Sequence, residues 1–262
     1  KFNAMQNEKV INYIKNWLDN YLVKTNLNGF VVGVSGGIDS AVTSTLCAMT
    51  KQKVLCVEMP IHQDISQVTR AQQHIAWLKS NYNNVSSVEV DLTPTFDAFK
   101  QGLPKTNSKR EDLALGNSRA RLRMTTLYYL AGLHNYLVVG TGNKVEDFGV
   151  GFYTKYGDGG VDLSPIADLM KSEVYSLAQT LNIIDVIQNA EPTDGLFGDS
   201  RSDEDQLGAS YDELEWAMQF EGNPEELSNR QAEVLKIYKS LNSANQHKMK
   251  PIPICSIPSE FK

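Results

Sequence analysis

Residues 33–40 combine a glycine turn with a carboxylate, an arrangement that suits phosphate chemistry. Residues 30–34 form an apolar, valine-rich run of the kind found in buried parallel strands. A Ser-Gly-Gly turn follows, and Asp39 and Ser40 then begin a helical segment. Free backbone N–H groups and the positive end of the helix dipole attract anions at such a helix start, and glycine lets the backbone approach them. The segment is therefore predicted to bind phosphate.

The sequence of this loop limits which phosphate ligand it could bind. It lacks the GxxxxGK[ST] pattern, which excludes a Walker A loop. Asp39 would repel a phosphate unless a divalent cation lay between them, so the sequence implies Mg²⁺. An ordinary strand–helix turn that happens to contain glycine is the simpler alternative. The complete strand, SGGIDS and helix string resembles the pyrophosphate loop of the N-type ATP pyrophosphatases, which cleave ATP between the α- and β-phosphates.

Composition is typical of a globular protein in a reducing compartment. The chain has 262 residues, of which 41% are hydrophobic, enough for one large domain with its own core. A net charge of −6 argues against a broad nucleic-acid surface. The three cysteines have no metal-site spacing and are odd in number. We find no signal peptide and no apolar run long enough to span a bilayer, so a cytoplasmic location without membrane partners is expected.

Hydrophobic periodicity predicts strands that alternate with helices. Helix is expected over residues 3–26 and in a long segment ending near His134, with strands near 30–34, 53–59, 85–90 and 136–140. This alternation predicts an α/β fold, a Rossmann-like parallel sheet with helices on both faces. We expect a single domain over 1–262, with a core at 30–182, a mobile loop near 191–206, and helices and tail over 210–262. Prolines predict that the tail is extended from residue 243.

Several strings in the second half carry a closer resemblance. They are GNSRARLRM at 116–124, VGTGNKVE at 139–146, GFYTKYGDGGVD at 151–162 and EPTDGL at 191–196. Together with the first loop they resemble the ammonia-dependent NAD synthetases over nearly the whole chain, and TKYGDGG is the most specific part. The resemblance implies the adenine nucleotide alpha hydrolase-like form of the Rossmann-like fold.

The same resemblance implies roles for individual residues. Asp39 and Glu146 would bind Mg²⁺, and Asp158, Lys171 and Ser35 would be catalytic. The residues that would bind ATP are Gly33, Val34, Ser35, Gly36, Gly37, Ile38, Asp39, Ser40, Thr141, Lys171 and Thr193. Those that would bind the deamido substrate, nicotinic acid adenine dinucleotide, are Arg121, Lys155, Asp162, His247 and Lys248.

Simpler interpretations of these residues stay open at this point. Asp39 and Glu146 are also consistent with solvated surface acids, and Lys171 with an exposed helix lysine. His247 is a lone histidine near a proline-rich tail, a setting more typical of a surface group. The glycine-rich segment, residues 151–160, contains three aromatic residues that fit either stacking on a pyridine ring or the core: Phe152, Tyr153 and Tyr156.

Helical geometry separates the three arginines of the long helix. Arg119 and Arg123 are four residues apart and share a face, whereas Arg121 points nearly the opposite way. The resemblance selects Arg121 for the substrate, which leaves the other two for contacts within the chain or at a subunit interface. Glu58 departs from the family pattern, which commonly has arginine at this position. If that arginine helps to hold the adenosine part of ATP, adenine recognition must differ here.

The resemblance implies ATP-dependent amidation of deamido-NAD with ammonia, which yields NAD, AMP and pyrophosphate through an acyl-adenylate. Asp158 would deprotonate ammonium, and a homodimer is expected. No cysteine has an evident neighbouring base, so free ammonia, or ammonia handed over by another protein, is the expected nitrogen source rather than glutamine. Two alternatives remain: another N-type ATP pyrophosphatase, such as a GMP synthetase or a tRNA-thiolating enzyme, and a nucleotide-binding regulator without catalysis.

Overall fold

A parallel sheet forms the centre of the molecule. The computed structural model describes residues 5–193 and 202–262. Its sheet has the order β3-β2-β1-β4, and all of its neighbouring strands are parallel. The strands are β1 (Gly29–Gly33), β2 (Lys53–Glu58), β3 (Val85–Glu89) and β4 (Leu137–Val139). β1 and β4 are therefore neighbours although more than 100 residues separate them, so the segments that follow these two strands meet at one edge.

Helices cover both faces of this sheet, as predicted. Phe30 and Val32 of β1 pack with α1, α2 and α6 on one face, whereas Val31 packs with Ala131 of α5 on the other. The helices of the described ranges are α1 (Asn7–Thr25), α2 (Ile38–Met49), α3 (Ile65–Asn81), α4 (Thr93–Gln101), α5 (Glu111–His134), α6 (Lys171–Thr180), α7 (Asp185–Gln188), α8 (Asp203–Leu207), α9 (Tyr211–Gln219) and α10 (Asn229–Met249).

A second apolar cluster joins the C-terminal helices to the segment after β4. That segment is a π-helical turn, Val145–Val150. Its Val145 packs with Leu214 of α9 and Val234 of α10. The turn thereby fixes the residues that follow β4 against helices that are distant in sequence.

The expected extended tail from residue 243 is wrong at its start. Helix α10 continues to Met249, because Ser228 caps its start and the first tail proline is Pro251. His247 therefore lies in the last helical turn. Half of the predicted mobile loop at 191–206, residues 194–201, lies outside the described residues, while Asp203–Leu207 is helical. In the described part of the chain, the helices lack the length and apolar character needed to cross a membrane.

Candidate active site

Sheet order brings Asp39 and Glu146 together. Asp39 lies in the first turn of α2, directly after β1, and Glu146 lies in the turn after β4. Lys171, the first residue of α6, lies between them. Its Nζ donates to Asp39 Oδ2 at 2.6 Å and to Glu146 Oε1 at 3.0 Å. We call these three residues the carboxylate–lysine centre.

The centre is enclosed rather than solvated. The Lys171 side chain is 4% exposed, against 17% for Asp39 and 16% for Glu146. Burial alone would lower the pKa of Lys171, but the nearby charges of Asp39 and Glu146 outweigh it and hold the pKa above its ordinary value. The lysine is therefore a permanent cation, and the interpretation as surface groups is wrong for all three residues.

Two residues that the sequence did not single out hold the centre in place. The Tyr211 hydroxyl donates to Glu146 Oε1 at 2.7 Å, and its ring lies 4.5 Å from Lys171 Nζ. Asn143 Nδ2 donates to Asp39 Oδ1 at 3.0 Å, while its Oδ1 accepts from the backbone N–H groups that begin the π-helical turn. An Asn that caps the N–H groups two and three residues later is a recognisable local pattern. Tyr211 had no such signal.

The start of α2 presents backbone donors to the same cleft. Within the glycine turn itself, the Ser35 N–H donates to Ser40 Oγ and the Gly37 N–H donates to Ser35 Oγ. Gly37 caps α2 without a side-chain hydrogen bond, so the first N–H groups of this helix face the cleft without a side-chain acceptor. Gly36 has φ +83°, and a Cβ there would lie 2.7 Å from the carbonyl oxygen of Gln67. A side chain at this position would therefore displace α3 or the loop.

Most of the predicted ATP and metal residues line one cleft. They are Gly33, Val34, Ser35, Gly37, Ile38, Asp39, Ser40, Thr141, Glu146, Lys171 and Thr193. Gly36 is the exception, because it turns against α3. The structure thus brings together residues from β1, α2, α6 and the segment after β4, as an edge binding site in a parallel sheet requires.

Two further acids lie in this cleft. Asp158 Oδ1 accepts from the Thr154 N–H at 2.9 Å. The residue lines the cavity and its surface there is exposed, while desolvation by the surrounding protein raises its pKa to about 6. Asp147, which the sequence interpretation missed, has a pKa raised to about 8 by burial and then by the charges of Glu146 and Asp158. The cleft therefore contains carboxyl groups that ionise at different pH values.

Among known protein families, the sequence model that describes the NAD synthase family matches residues 10–252 of the chain. The chain belongs to the NAD synthase family. The predicted family, and with it a ligase that forms a C–N bond, is thereby confirmed.

Relatives and solved structures agree with the family match. The chain is 36% identical to the NH(3)-dependent NAD(+) synthetase of Mycoplasma pneumoniae, over 96% of this chain and 94% of the relative. It is 36% identical to the enzyme of the same name from Methanosarcina acetivorans, over 97% and 98%. An NMN synthetase from Francisella tularensis superposes with a TM-score of 0.83 at 28% identity, covering 98% of this chain and 100% of that one. The NH3-dependent NAD synthetase from Campylobacter jejuni has a TM-score of 0.76 at 29% identity, covering 96% and 100%.

In this NAD synthase family member, the predicted dinucleotide residues lie apart from the cleft lining. Arg121 donates to the Lys155 carbonyl oxygen at 3.3 Å, and Lys155 Nζ donates to the His247 carbonyl oxygen at 2.7 Å. These contacts join α5, the glycine-rich segment and the end of α10 on the outside of the cleft. Their role toward substrate stays a prediction.

Asp162 and Lys248 make structural contacts. Asp162 accepts from the Tyr128 hydroxyl at 3.0 Å and from the Val138 N–H at 2.8 Å. Lys248 Nζ donates to the carbonyl oxygens of Gly151 and Tyr153 at 2.7 and 2.8 Å. Both therefore fix the glycine-rich segment, and a substrate role for either stays a prediction.

The remaining arginines follow the predicted helix faces. Arg119 lies 4.7 Å from the Phe96 ring centre. Arg123 donates to the Met59 carbonyl oxygen at 3.0 Å and to Gln63 Oε1 at 2.6 Å, and it also lines the cleft. The sequence left Arg123 for contacts within the chain or at a subunit interface, and gave no sign of its place in the cleft wall.

Proposed function

We propose that the chain uses ATP to join ammonia to nicotinic acid adenine dinucleotide, forming NAD, AMP and pyrophosphate. The observation that carries this proposal is the carboxylate–lysine centre beside a helix N-terminus, in a member of the NAD synthase family. The two NH(3)-dependent NAD(+) synthetases described above support ammonia as the nitrogen donor.

The carboxylate–lysine centre also fits the Mg²⁺ implied by the sequence. One cationic atom already lies within 3.0 Å of oxygens from both Asp39 and Glu146, so these carboxylates converge on a place for positive charge. The described residues contain no group of three or more His, Cys, Asp or Glu side chains arranged to hold a metal. Phosphate and water oxygens would therefore complete the ligands, as is usual for Mg²⁺. Bound there, Mg²⁺ would neutralise charge on the departing pyrophosphate.

The chain's own groups would carry the first step. The N–H groups at the start of α2 bind the phosphates, and Lys171 turns from its two carboxylates toward the ATP oxygens. The substrate carboxylate attacks the α-phosphorus, the bond to the β-phosphate bridging oxygen breaks, and pyrophosphate leaves. The product is an acyl-adenylate. Ser35 of the phosphate loop, residues 33–40, and Thr141 line the same cleft.

Asp158 would carry the proton transfer of the second step. Ammonium has no lone pair, so a base must first accept a proton from it. With a pKa of about 6, Asp158 is mostly ionised near neutral pH and its basicity is greater than that of an ordinary aspartate. Ammonia then attacks the acyl carbon and forms the C–N bond, and AMP leaves with the electrons of the broken acyl–oxygen bond. The nitrogen releases one further proton, to the AMP phosphate or to solvent, as the amide forms.

A second acceptor substrate is supported by one specific observation. The Francisella tularensis protein with a TM-score of 0.83 is an NMN synthetase. The mononucleotide carries the same nicotinate carboxylate as the dinucleotide but lacks the second nucleotide. Both acceptors therefore belong in the same assay.

We also propose a homodimer. Helix α5 presents exposed apolar side chains at Tyr129 and Leu133, which are four residues apart and share a face, and an exposed apolar face is typical of a covered surface. The dinucleotide residues outside the cleft support a substrate site completed near this interface. Sedimentation is expected to give a dimer at assay concentration, and a monomer would contradict the proposal.

Buried Cys47 and Cys56 support a reducing compartment such as the cytoplasm.

The test is a steady-state assay with ATP, Mg²⁺ and ammonium. Nicotinic acid adenine dinucleotide is supplied in one arm and nicotinic acid mononucleotide in the other. NAD and AMP should appear in equal amounts in the first arm. Turnover of the mononucleotide alone would favour the second candidate, and absence of an amidated product in both arms would refute the ligase assignment.

A further inference from the structure

Glu58 stands at the end of β2, beside the phosphate loop. The Val34 N–H donates to the Val57 carbonyl oxygen at 2.9 Å, which places the start of the loop next to the end of this strand. Side chains alternate along a strand, so Glu58 points to the same face as Val54 and Cys56, where α3 packs. The carboxyl group therefore lies on the α3 side of the cleft, beyond the phosphate loop.

The environment of Glu58 is unusual for a carboxylate. The residue is only 9% exposed and lines the cleft, yet its Oε1 has no hydrogen-bond partner among the described residues. Burial, followed by the charge of Glu89, raises the pKa of Glu58. A buried acceptor without a donor is costly, so this position favours a ligand that supplies one.

The neighbouring cleft wall limits which ligand group that donor belongs to. Val34, Met59, Pro60 and Val68 line this part of the cleft and are apolar, and the polar side chains that accompany them are hydrogen-bonded to one another: Gln63, Gln67 and Arg123. A carboxylate repels phosphate, and an apolar wall suits a flat heterocycle better than a ribose with several hydroxyl groups. A planar base with one amino group fits both features.

We propose that Glu58 determines base specificity by accepting a hydrogen bond from the exocyclic amino group of adenine. This inference rests on the proposed use of ATP at the same cleft. The base lies between the β2 end and α3, while its triphosphate reaches the start of α2. Inosine, which has a carbonyl oxygen in place of the amino group, would face the Glu58 carboxylate with an acceptor and be repelled.

Calorimetric binding of ATP, ITP and 2′-deoxyATP, with Mg²⁺ and without the acceptor substrate, tests this assignment. The wild-type chain should bind ATP at least about tenfold more tightly than ITP, as expected for a hydrogen bond to a charged group. In Glu58→Gln the amide can donate to the inosine oxygen, so the ATP/ITP preference should fall to about threefold or less. The preference for ATP over 2′-deoxyATP should stay unchanged.

Glu89→Gln is the matched control, because it removes the same charge from the adjacent strand at a residue outside the cleft lining. It should retain the wild-type preference. Equal binding of ATP and ITP by the wild-type chain would overturn the inference, and this result needs no variant to fold. An unchanged ATP/ITP preference in Glu58→Gln, or a changed 2′-deoxyATP preference, would also overturn it. Failure of the wild-type chain to bind any of the nucleotides would instead refute the proposed function, and the role of Glu58 with it.

Discussion

Replacing Lys171 with methionine should destabilise the chain and make its stability depend on Mg²⁺. The substitution keeps much of the side-chain volume but leaves Asp39 and Glu146 without their shared cation. Breaking a buried ion pair costs about 3–5 kcal/mol. Because Asp39 keeps its bond from Asn143, Glu146 keeps its bond from Tyr211, and both retain some solvent access, we expect the lower end, about 3 kcal/mol.

Thermal unfolding followed by circular dichroism measures this effect. In EDTA, a loss of about 3 kcal/mol should lower the Tm of Lys171→Met by about 6–12 °C for a chain of this size. In excess MgCl₂ the variant should recover several degrees, because a ligand at a hundred times its Kd stabilises by about 2.7 kcal/mol. The wild-type chain should gain less, since the metal must first displace Lys171.

The control is Lys144→Met. Lys144 pairs with Asp168 at 2.9 Å, but the two side chains are 38% and 96% exposed. Loss of this surface pair should cost less than about 1 kcal/mol and should not depend on Mg²⁺. The account of the carboxylate–lysine centre is refuted if Lys171→Met melts like Lys144→Met in EDTA, or if Mg²⁺ stabilises the wild-type chain and Lys171→Met equally.

Three further predictions concern other groups. Asp158→Asn keeps an acceptor for the Thr154 N–H but removes the base. The kcat/KM for ammonium should therefore fall about 100-fold or more, while pyrophosphate release in the first turnover persists. An unchanged kcat/KM for ammonium would exclude Asp158 as the base. Tyr211→Phe removes the 2.7 Å bond to Glu146 and should cost about 2 kcal/mol in urea unfolding, whereas exposed Tyr156→Phe should cost almost nothing. Burial lowers the pKa of His74 to about 4. As pH falls from 6.5 to 4, the histidine therefore takes up its proton in the unfolded chain before it does so in the folded chain. The free energy of unfolding should fall by up to about 3 kcal/mol in that window in the wild-type chain, but not in His74→Gln. Equal pH dependence of the stability of the wild-type chain and His74→Gln would contradict the assignment of this loss to His74.

Local patterns predicted much of the fold and half of the site. The valine-rich run and glycine turn predicted β1 and the phosphate loop, because strand, turn and helix start are contiguous there. The parallel sheet predicted that Asp39 and Glu146 follow strand ends. These two strand ends are adjacent because the sheet has the order β3-β2-β1-β4. Hydrophobic periodicity predicts the strands but not their order.

The remaining contacts depend on distant packing. Tyr211 reaches Glu146 across 65 positions of sequence, because the π-helical turn packs on α9 and α10. Lys171 was expected to contact ATP, but its position between two carboxylates could not be predicted from a single lysine at a helix start. His247 was placed in a tail, although α10 lacks a proline until Pro251 and so continues through it.

The most direct test of the central claim is pyrophosphate release by Asp39→Asn in a single turnover. The reaction contains ATP, Mg²⁺ and nicotinic acid adenine dinucleotide but no ammonium, so only the first step can occur. It is stopped by rapid quenching. The variant keeps Lys171 paired with Glu146, so it should fold, and its far-ultraviolet circular dichroism should match the wild type. Its release rate should fall at least about 100-fold, whereas Asp168→Asn, an exposed acid, should behave like the wild-type chain. Pyrophosphate release by folded Asp39→Asn at the wild-type rate would contradict the assignment of ATP chemistry to the carboxylate–lysine centre.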